Sequence, residues 1–305
     1  MENTESIKVK ESSSSNKNKS KYVLEFITEK IFMISAFVAV ISLLLIIGFV
    51  FYKGLMPFVT EGYSFIDFIF GTEWLPSSKE FGIGAMIVTS MVATVGALII
   101  GVPIGILAAI FIAEICPKKY ARVISTAVEL LAGIPSVLYG IFGLAVIVPA
   151  IQTVLNLPKG QSLLAVIIVL AIMMLPTIIS LSETSIRAVP KAYKEGSLAL
   201  GASKIETIFK VIVPAAKSGI LAGVILGIGR ALGETMAVIL VAGNSTAMPT
   251  SLLDSARPLT TNIALEMGYA AVTHQNMLFA TGVVLFEFIL ILNLFISKLS
   301  NKEGK

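Results

Sequence analysis

The sequence predicts an all-α, polytopic membrane protein with six transmembrane helices. Three observations carry that prediction. Of 305 residues, 56% are hydrophobic and only 14% are charged, against roughly 25% charged in an ordinary soluble domain. Mean hydropathy is +0.91. The apolar residues gather into six runs, each near the roughly twenty residues that a hydrocarbon core requires. This balance excludes a disordered chain and argues against a soluble globular enzyme.

The segments follow in order. Residues 1–30 hold eleven charged residues and the tract SSSSNKNKSK (Ser12–Lys21). Such a stretch cannot bury enough apolar surface to offset its ordering entropy, so it reads as a disordered tail rather than a cleavable leader. The domain that follows is residues 31–305. Its spans are Ile31–Tyr52, Ile83–Ile112, Val123–Ile151, Leu163–Leu181, Gly219–Ala242 and Met277–Ile296. The second is near 45 Å at about 1.5 Å per residue, so it must tilt or protrude. Pro103, Pro135 and Pro176 interrupt three of them, and the carbonyls they free are tolerated only against protein or water.

Charge sorts the connections. With the N-terminus inside, eighteen Lys and Arg fall on inner segments and four on outer ones. That asymmetry places both termini in the cytoplasm of a multi-pass cell-membrane protein. It also accounts for the net charge of +4 without a nucleic-acid partner; the partner composition demands is the lipid bilayer. Two outer loops are long. Lys53–Phe81 carries Trp74 as an expected interfacial anchor. Gly243–Asn276 holds the apolar stretch Ile263–Val272, which reads as an interfacial or re-entrant helix.

Chemistry-bearing residues are few. One cysteine, Cys116, excludes a disulfide within the chain, and with one histidine, His274, no metal centre or cofactor site is expected. The chain lacks G-x-x-x-x-G-K-[ST] and so cannot hydrolyse ATP by a phosphate loop. Two charges, Arg230 and Glu234, sit in the fifth span at i, i+4, the spacing of one helix face. Together they cost roughly 5–7 kcal/mol against roughly 3–7 gained from eleven Leu, Ile and Val. They must face protein or water. Either they form an internal ion pair that locks helix packing, or Arg230 contacts an oxyanion through its fork of donors, with Glu234 holding it. Gly219, Gly223 and Gly227 form a small-residue stripe for close helix approach, within the chain or against a partner. Glu287 stands alone in the sixth span.

The inner loop Ser180–Ile220 repeats apolar residues at helical spacing (Leu198, Ile205, Ile208, Phe209, Ile212). Pro190 suits a helix start, Gly201 a sharp bend, and Pro214 the end of a second helix. The expected shape is a helix–turn–helix knob. Glu195, Gly201 and Val211–Pro214 are spaced as in the EAA loop of ABC importer permeases, although Gly196 and Ser197 stand where that loop has alanines. LLAGIPSVLYGIFGL (Leu130–Leu144), LPTIISLSE (Leu175–Glu183), IRAVPKAYKEGSLALGASKIETI (Ile186–Ile208) and GIGRALGETMAVILVAGN (Gly227–Asn244) extend the likeness over most of the chain beyond residue 80. The chain resembles the PstC family of phosphate-specific ABC importer permeases.

The resemblance implies a type I ABC importer permease fold with a core over about 80–297 and a coupling loop over about 184–217. It implies no catalysis here, with ATP hydrolysis in a partner. Its partners are a second permease, two cytoplasmic ATPase subunits and an extracellular phosphate-binding protein. It implies a transport role for Arg230 and Glu234, and ATPase coupling for Glu195, Gly201 and Pro214. A permease of this class for another oxyanion or solute, and a self-sufficient secondary transporter, are the competing readings; the EAA-like loop and the absence of an evident inverted repeat weigh against the latter.

Overall fold

The computed structural model describes residues 25–294 and Lys298 in full. The expected tail therefore lies outside the described residues over 1–24. Two units divide the chain, Met1–Tyr52 and Lys53–Lys305. Helix α1, described over Glu25–Thr60, supplies the described part of the first, an apolar run with no charged residue from Ile31 to Tyr52.

Within the second unit a short helix α2 (Phe65–Phe70) is capped by Ser64 Oγ, which accepts from Asp67 N–H. A two-residue hairpin follows, β1 (Trp74–Leu75) pairing antiparallel with β2 (Glu80–Phe81). Helix α3 (Gly84–Ile110) continues into a π-helical turn at Phe111–Ile115. The third apolar run is not one helix. It divides at Gly133–Pro135 into the amphipathic α4 (Lys118–Ala132) and a second stretch, α5 (Ser136–Phe142), a π turn (Gly143–Ile147) and α6 (Val148–Val154). Proline bars the preceding residue from helical backbone, so Gly133-Ile134-Pro135 is the natural break; only Ser136–Val154 is long and apolar enough to span.

Helix α7 (Leu163–Ala188) is the hub, with 67% of its most apolar window buried. Lipid tails are as apolar as leucine, so close van der Waals packing decides helix association. α7 is gripped on both sides by glycine-bearing helices. α3 brings Gly96, Gly101 and Gly105 against Ile167, Met174 and Ile178. The stripe predicted in the fifth span does the same: Gly219 meets Ser185, Gly223 meets Leu181, and a Cβ at Gly227 would lie 3.1 Å from Ile178 Cγ1. The stripe serves packing within the chain.

The loop after α7 forms α8 (Lys191–Ala199) and α9 (Lys204–Thr207), a π turn (Ile208–Ile212) and α10 (Val213–Ala215). Pro214 does not end the second helix. It sits just after the π turn, where the i−4 ladder is already interrupted and a missing N–H costs little. The helical path ends at Ala216 and bends by 69° into α11 (Lys217–Gly233). A helix α12 (Met236–Val241), a short α13 (Leu259–Glu266) and α14, described over Val272–Leu294, complete the fold. Among the described residues, five helices are long and apolar enough to span, or six when the bent pair Lys204–Ala215 and Lys217–Gly233 counts as one.

Among the described residues, three buried clusters layer the second unit. One joins α3, α7, α11 and α12. A second, beneath the α8–α10 loop, unites Ile110, Ile112, Ile186, Ile208 and Ile212. The third, at the opposite end, joins Phe68, Trp74, Phe81, Ile83, Leu259 and Met277.

Candidate functional site

The predicted fifth span is broken where its charges lie. α11 stops at Gly233, Glu234 is extended (φ −71°, ψ 133°), and Thr235 begins a new turn into α12. Arg230 and Glu234 are therefore not one turn apart on a continuous helix. They do not pair: Glu234 Oε1 accepts from Ala237 N–H at 3.0 Å, while Arg230 Nη1 lies 3.5 Å from Thr177 Oγ1 of α7. The i, i+4 rule fails because it presumes the helix persists; the carboxylate instead caps the helix that follows the break.

Breaking a helix inside a membrane frees backbone groups, which protein or water must satisfy. α13 supplies that. Thr260 Oγ1 donates to Glu234 O at 2.8 Å, and Ser90 Oγ of α3 accepts from Leu259 N–H at 3.0 Å. A small cavity remains beneath, bordered by Ser90, Thr94, Glu234, Pro258 and Thr260. Arg230 is half-buried at the edge of this arrangement, and Gly229 and Gly233 beside it have open space where a side chain would project. A guanidinium with spare donors, open backbone and hydroxyl groups suits a multi-oxygen anion. Glu287 is exposed on α14.

The second region is the loop knob. α8 ends in a Schellman motif: Ala202 N–H donates to Ser197 O at 3.3 Å and Gly201 N–H to Leu198 O at 3.0 Å. Gly201 takes φ +88° to close it. α9 then opens with a capping box, in which Ser203 Oγ accepts from Glu206 N–H and Glu206 Oε2 from Ser203 N–H. The sequence L-G-A-S-K-I-E thus writes one helix stop and the next start, and its S-x-x-E spacing is a signal legible without the structure. The Glu206 carboxyl is held below its usual range first by these Ser203 hydrogen bonds and then by Lys210. Glu195 is exposed, and Leu200 at the bend is 91% exposed. Apolar residues thrust into water on a projecting element mark a contact surface.

A brace fixes the knob to the helices. Lys194 of α8 pairs with Glu114 in the π turn that closes α3. Arg187 Nε donates to Glu183 Oε1 at 2.8 Å and its Nη2 to Ile112 O at 3.1 Å. Ser125 of α4 donates to Glu183 at 2.8 Å. Glu183 is buried and Glu114 partly buried, and both tie the knob, α3, α4 and α7 together.

Trp74 is not an interfacial anchor. It is 3% exposed, and its indole Nε1 donates to Glu266 Oε2 at 2.7 Å. An indole N–H needs a partner once buried, and the partner lies 192 residues on, beyond any spacing rule.

The comparisons with known proteins agree with this geometry. The family model described as "Binding-protein-dependent transport system inner membrane component" matches residues 101–302. The Bacillus subtilis (strain 168) protein described as "Probable ABC transporter permease protein YqgH" is 42% identical over 255 residues, 82% of each chain. The phosphate transport system permease protein PstC of Mesorhizobium japonicum is 36% identical over 284 residues, 85% of this chain and 86% of that one. PstC of Xylella fastidiosa (strain 9a5c) is 35% identical over 262 residues, 78% and 81% of the two. Among solved structures, a bacterial alginate ABC transporter chain shares the fold with TM-score 0.59 and 19% identity, covering 88% of this chain and 95% of that one. A chain of the MetNI methionine ABC transporter does so with TM-score 0.53 and 19% identity, covering 72% and 94%. With its bent knob, broken fifth span and multi-pass helical core, the chain belongs to the family of binding-protein-dependent transport system inner membrane components.

Proposed function

We propose that this chain is a permease subunit of an ATP-driven importer of inorganic phosphate. The carrying observation is Arg230: a guanidinium at a helix break within the membrane, with open backbone beside it and no bond to Glu234. The relatives named for phosphate transport, at 35% and 36% identity over most of the chain, support phosphate as the anion. Glu234 serves the path by stabilising the start of α12 rather than by pinning Arg230.

In this reading residues 31–305 form the membrane domain, residues 1–30 a cytoplasmic tail, and both termini lie inside. A second permease completes the path. The knob, with Glu195 at its surface, Gly201 at its bend and Pro214 at its base, seats on one of two ATPase subunits, which hydrolyse the ATP. An extracellular phosphate-binding protein delivers the cargo to the opposite face. Transport of competing oxyanions tests the substrate. The complete complex in proteoliposomes should take up radiolabelled phosphate, and Arg230→Gln should abolish that uptake without loss of assembly. Uptake of sulfate in preference to phosphate, with the matching binding protein supplied for each, would contradict the assignment.

A further inference from the structure

The end of the chain opposite the knob is organised around one carboxylate. Glu266, the last residue of α13, is 6% exposed. Its two oxygens take bonds from three side chains on three segments: Trp74 Nε1 at 2.7 Å, Arg257 Nη1 at 2.6 Å and His274 Nε2 at 2.8 Å. Trp74 comes from β1, Arg257 from the strand of chain before α13, and His274 from the first turn of α14. The rings of Trp74 and Phe81 lie 5.9 Å from the His274 ring, and that of Tyr269 lies 6.2 Å from it, so aromatic groups pack around the histidine that binds the carboxylate. Charge-assisted bonds in such surroundings are strong, and removing the acceptor strands several donors at once.

The position of α13 gives this node a reach beyond itself. Eight residues span about 12 Å, and the far end of α13 is where Leu259 and Thr260 hold Ser90 and the Glu234 carbonyl. Arg257 adds a second tie: its Nε donates to Asn244 O at 2.9 Å, just past the end of α12. Segment α12 is thus bracketed, by Thr260 before it and Arg257 after it, and both brackets end on Glu266 or on the helix it terminates.

We propose that Glu266 is a positioning residue for transport: it latches α13 over the break between α11 and α12, and release of that latch uncovers the path beside Arg230. The inference rests on the importer reading, in which this end of the chain is the outer one. Glu266 touches no cargo; it acts through α13.

A thiol-protection experiment tests it. Cys116 is the only cysteine of this chain, so Cys116→Ser makes it thiol-free, and Thr94→Cys, at a position 3% exposed beneath α13, then reports on the latch when labelling of this chain is read. The full complex is placed in lipid nanodiscs and treated with a maleimide. The reporter should be protected with Glu266 present, and Glu266→Gln should raise its labelling rate by at least about tenfold, as loss of a charged multi-donor contact allows. Trp74→Phe, which deletes one N–H and keeps the ring, should give a smaller rise. A second reporter, Ser182→Cys, at a fully buried position on α7, should stay protected throughout. Unchanged labelling at Thr94→Cys, or equal exposure of both reporters, would overturn the proposal. Should Glu266→Gln fail to assemble, Trp74→Phe decides: faster labelling at Thr94→Cys with Ser182→Cys still protected supports the latch, and unchanged labelling at Thr94→Cys overturns it. Phosphate uptake by the unvaried complex is measured in parallel: its absence would count against the importer reading, while the labelling contrast judges Glu266 on its own.

Discussion

Lys194 of the knob helix α8 is ion-paired with Glu114 in the π turn that closes α3. The two are 80 residues apart in sequence, and their bond joins the projecting knob to a helix whose glycines pack against Ile167, Met174 and Ile178 of α7. A force applied to α8 reaches the core through this strut, through Arg187 on Ile112 O, and through Glu183 on Ser125.

The strut makes a double-mutant prediction. Glu114→Gln and Lys194→Met should each lower phosphate uptake per ATP hydrolysed. In a cycle their coupling energy should be about 0.5–2 kcal/mol, above a solvent-exposed pair because the Glu114 side chain is only 11% exposed. The exchanged pair Glu114→Lys with Lys194→Glu should recover part of the loss. Additive effects across the cycle would show that the contact transmits nothing.

Gly201 should be intolerant by conformation rather than by bulk. Its φ of +88° is left-handed, yet nothing lies within 4 Å of where its Cβ would be. Gly201→Ala should cost about 1–2 kcal/mol in the loop, and Gly201→Asn less, since asparagine visits that region more readily. Affinity for the ATPase subunit, read by co-purification and titration, should fall in the order Gly, Asn, Ala, Val. A Val variant that bound as well as Gly would refute the bend as the docking determinant.

Arg230→Lys separates charge from geometry. Lysine keeps the charge but not the planar fork. With one ordinary charged hydrogen bond lost, uptake should fall roughly tenfold or more, with complex assembly and basal ATP hydrolysis unchanged. Glu234→Gln should retain more transport than Arg230→Gln, because the amide oxygen can still accept from Ala237 N–H.

The turn before α13 carries a pH dependence of known sign. The Asp254 carboxyl is held below its usual range first by the Thr250 hydroxyl and then by the N–H groups of Thr250 and Ser251. A carboxyl whose native pKa lies below its unfolded value contributes fully above the unfolded value and loses that contribution as pH falls through the native one. Limited proteolysis across 243–258 should therefore show resistance at neutral pH that declines only below the ordinary carboxylate value of 3.8. Asp254→Asn should be cleaved faster at neutral pH and show no such decline.

Much of the architecture is written locally. The apolar runs, the lysine-rich segments and the glycine stripe of α11 reflect lipid solvation and close packing, which depend on composition and period. The bend at Gly201 is equally local, since one left-handed residue and the Ser203–Glu206 box fix it. The break at Glu234 is not. Residues 219–242 read as one apolar helix, and the carbonyl at the break is satisfied by Thr260, carried on a helix whose own anchor is Glu266. Trp74 carries the same lesson: its amphipathic ring reads as an interface residue, and only the fold brings a buried carboxylate to its N–H. The brace of Glu114 and Glu183 lay hidden because a charge near a helix end has an ordinary solvated explanation. What the sequence conceals is the set of polar contacts made across many residues, and those contacts surround the candidate path.

The central claim, a path for phosphate moved by a separate ATPase through the α8–α9 knob, is tested most directly in proteoliposomes holding this chain and its second permease, with and without the ATPase subunits. With binding protein and phosphate on one face and ATP on the other, accumulation should require the ATPase and should vanish when ATP is replaced by a non-hydrolysable analogue. Accumulation of phosphate against its gradient by the two permeases alone would contradict the account.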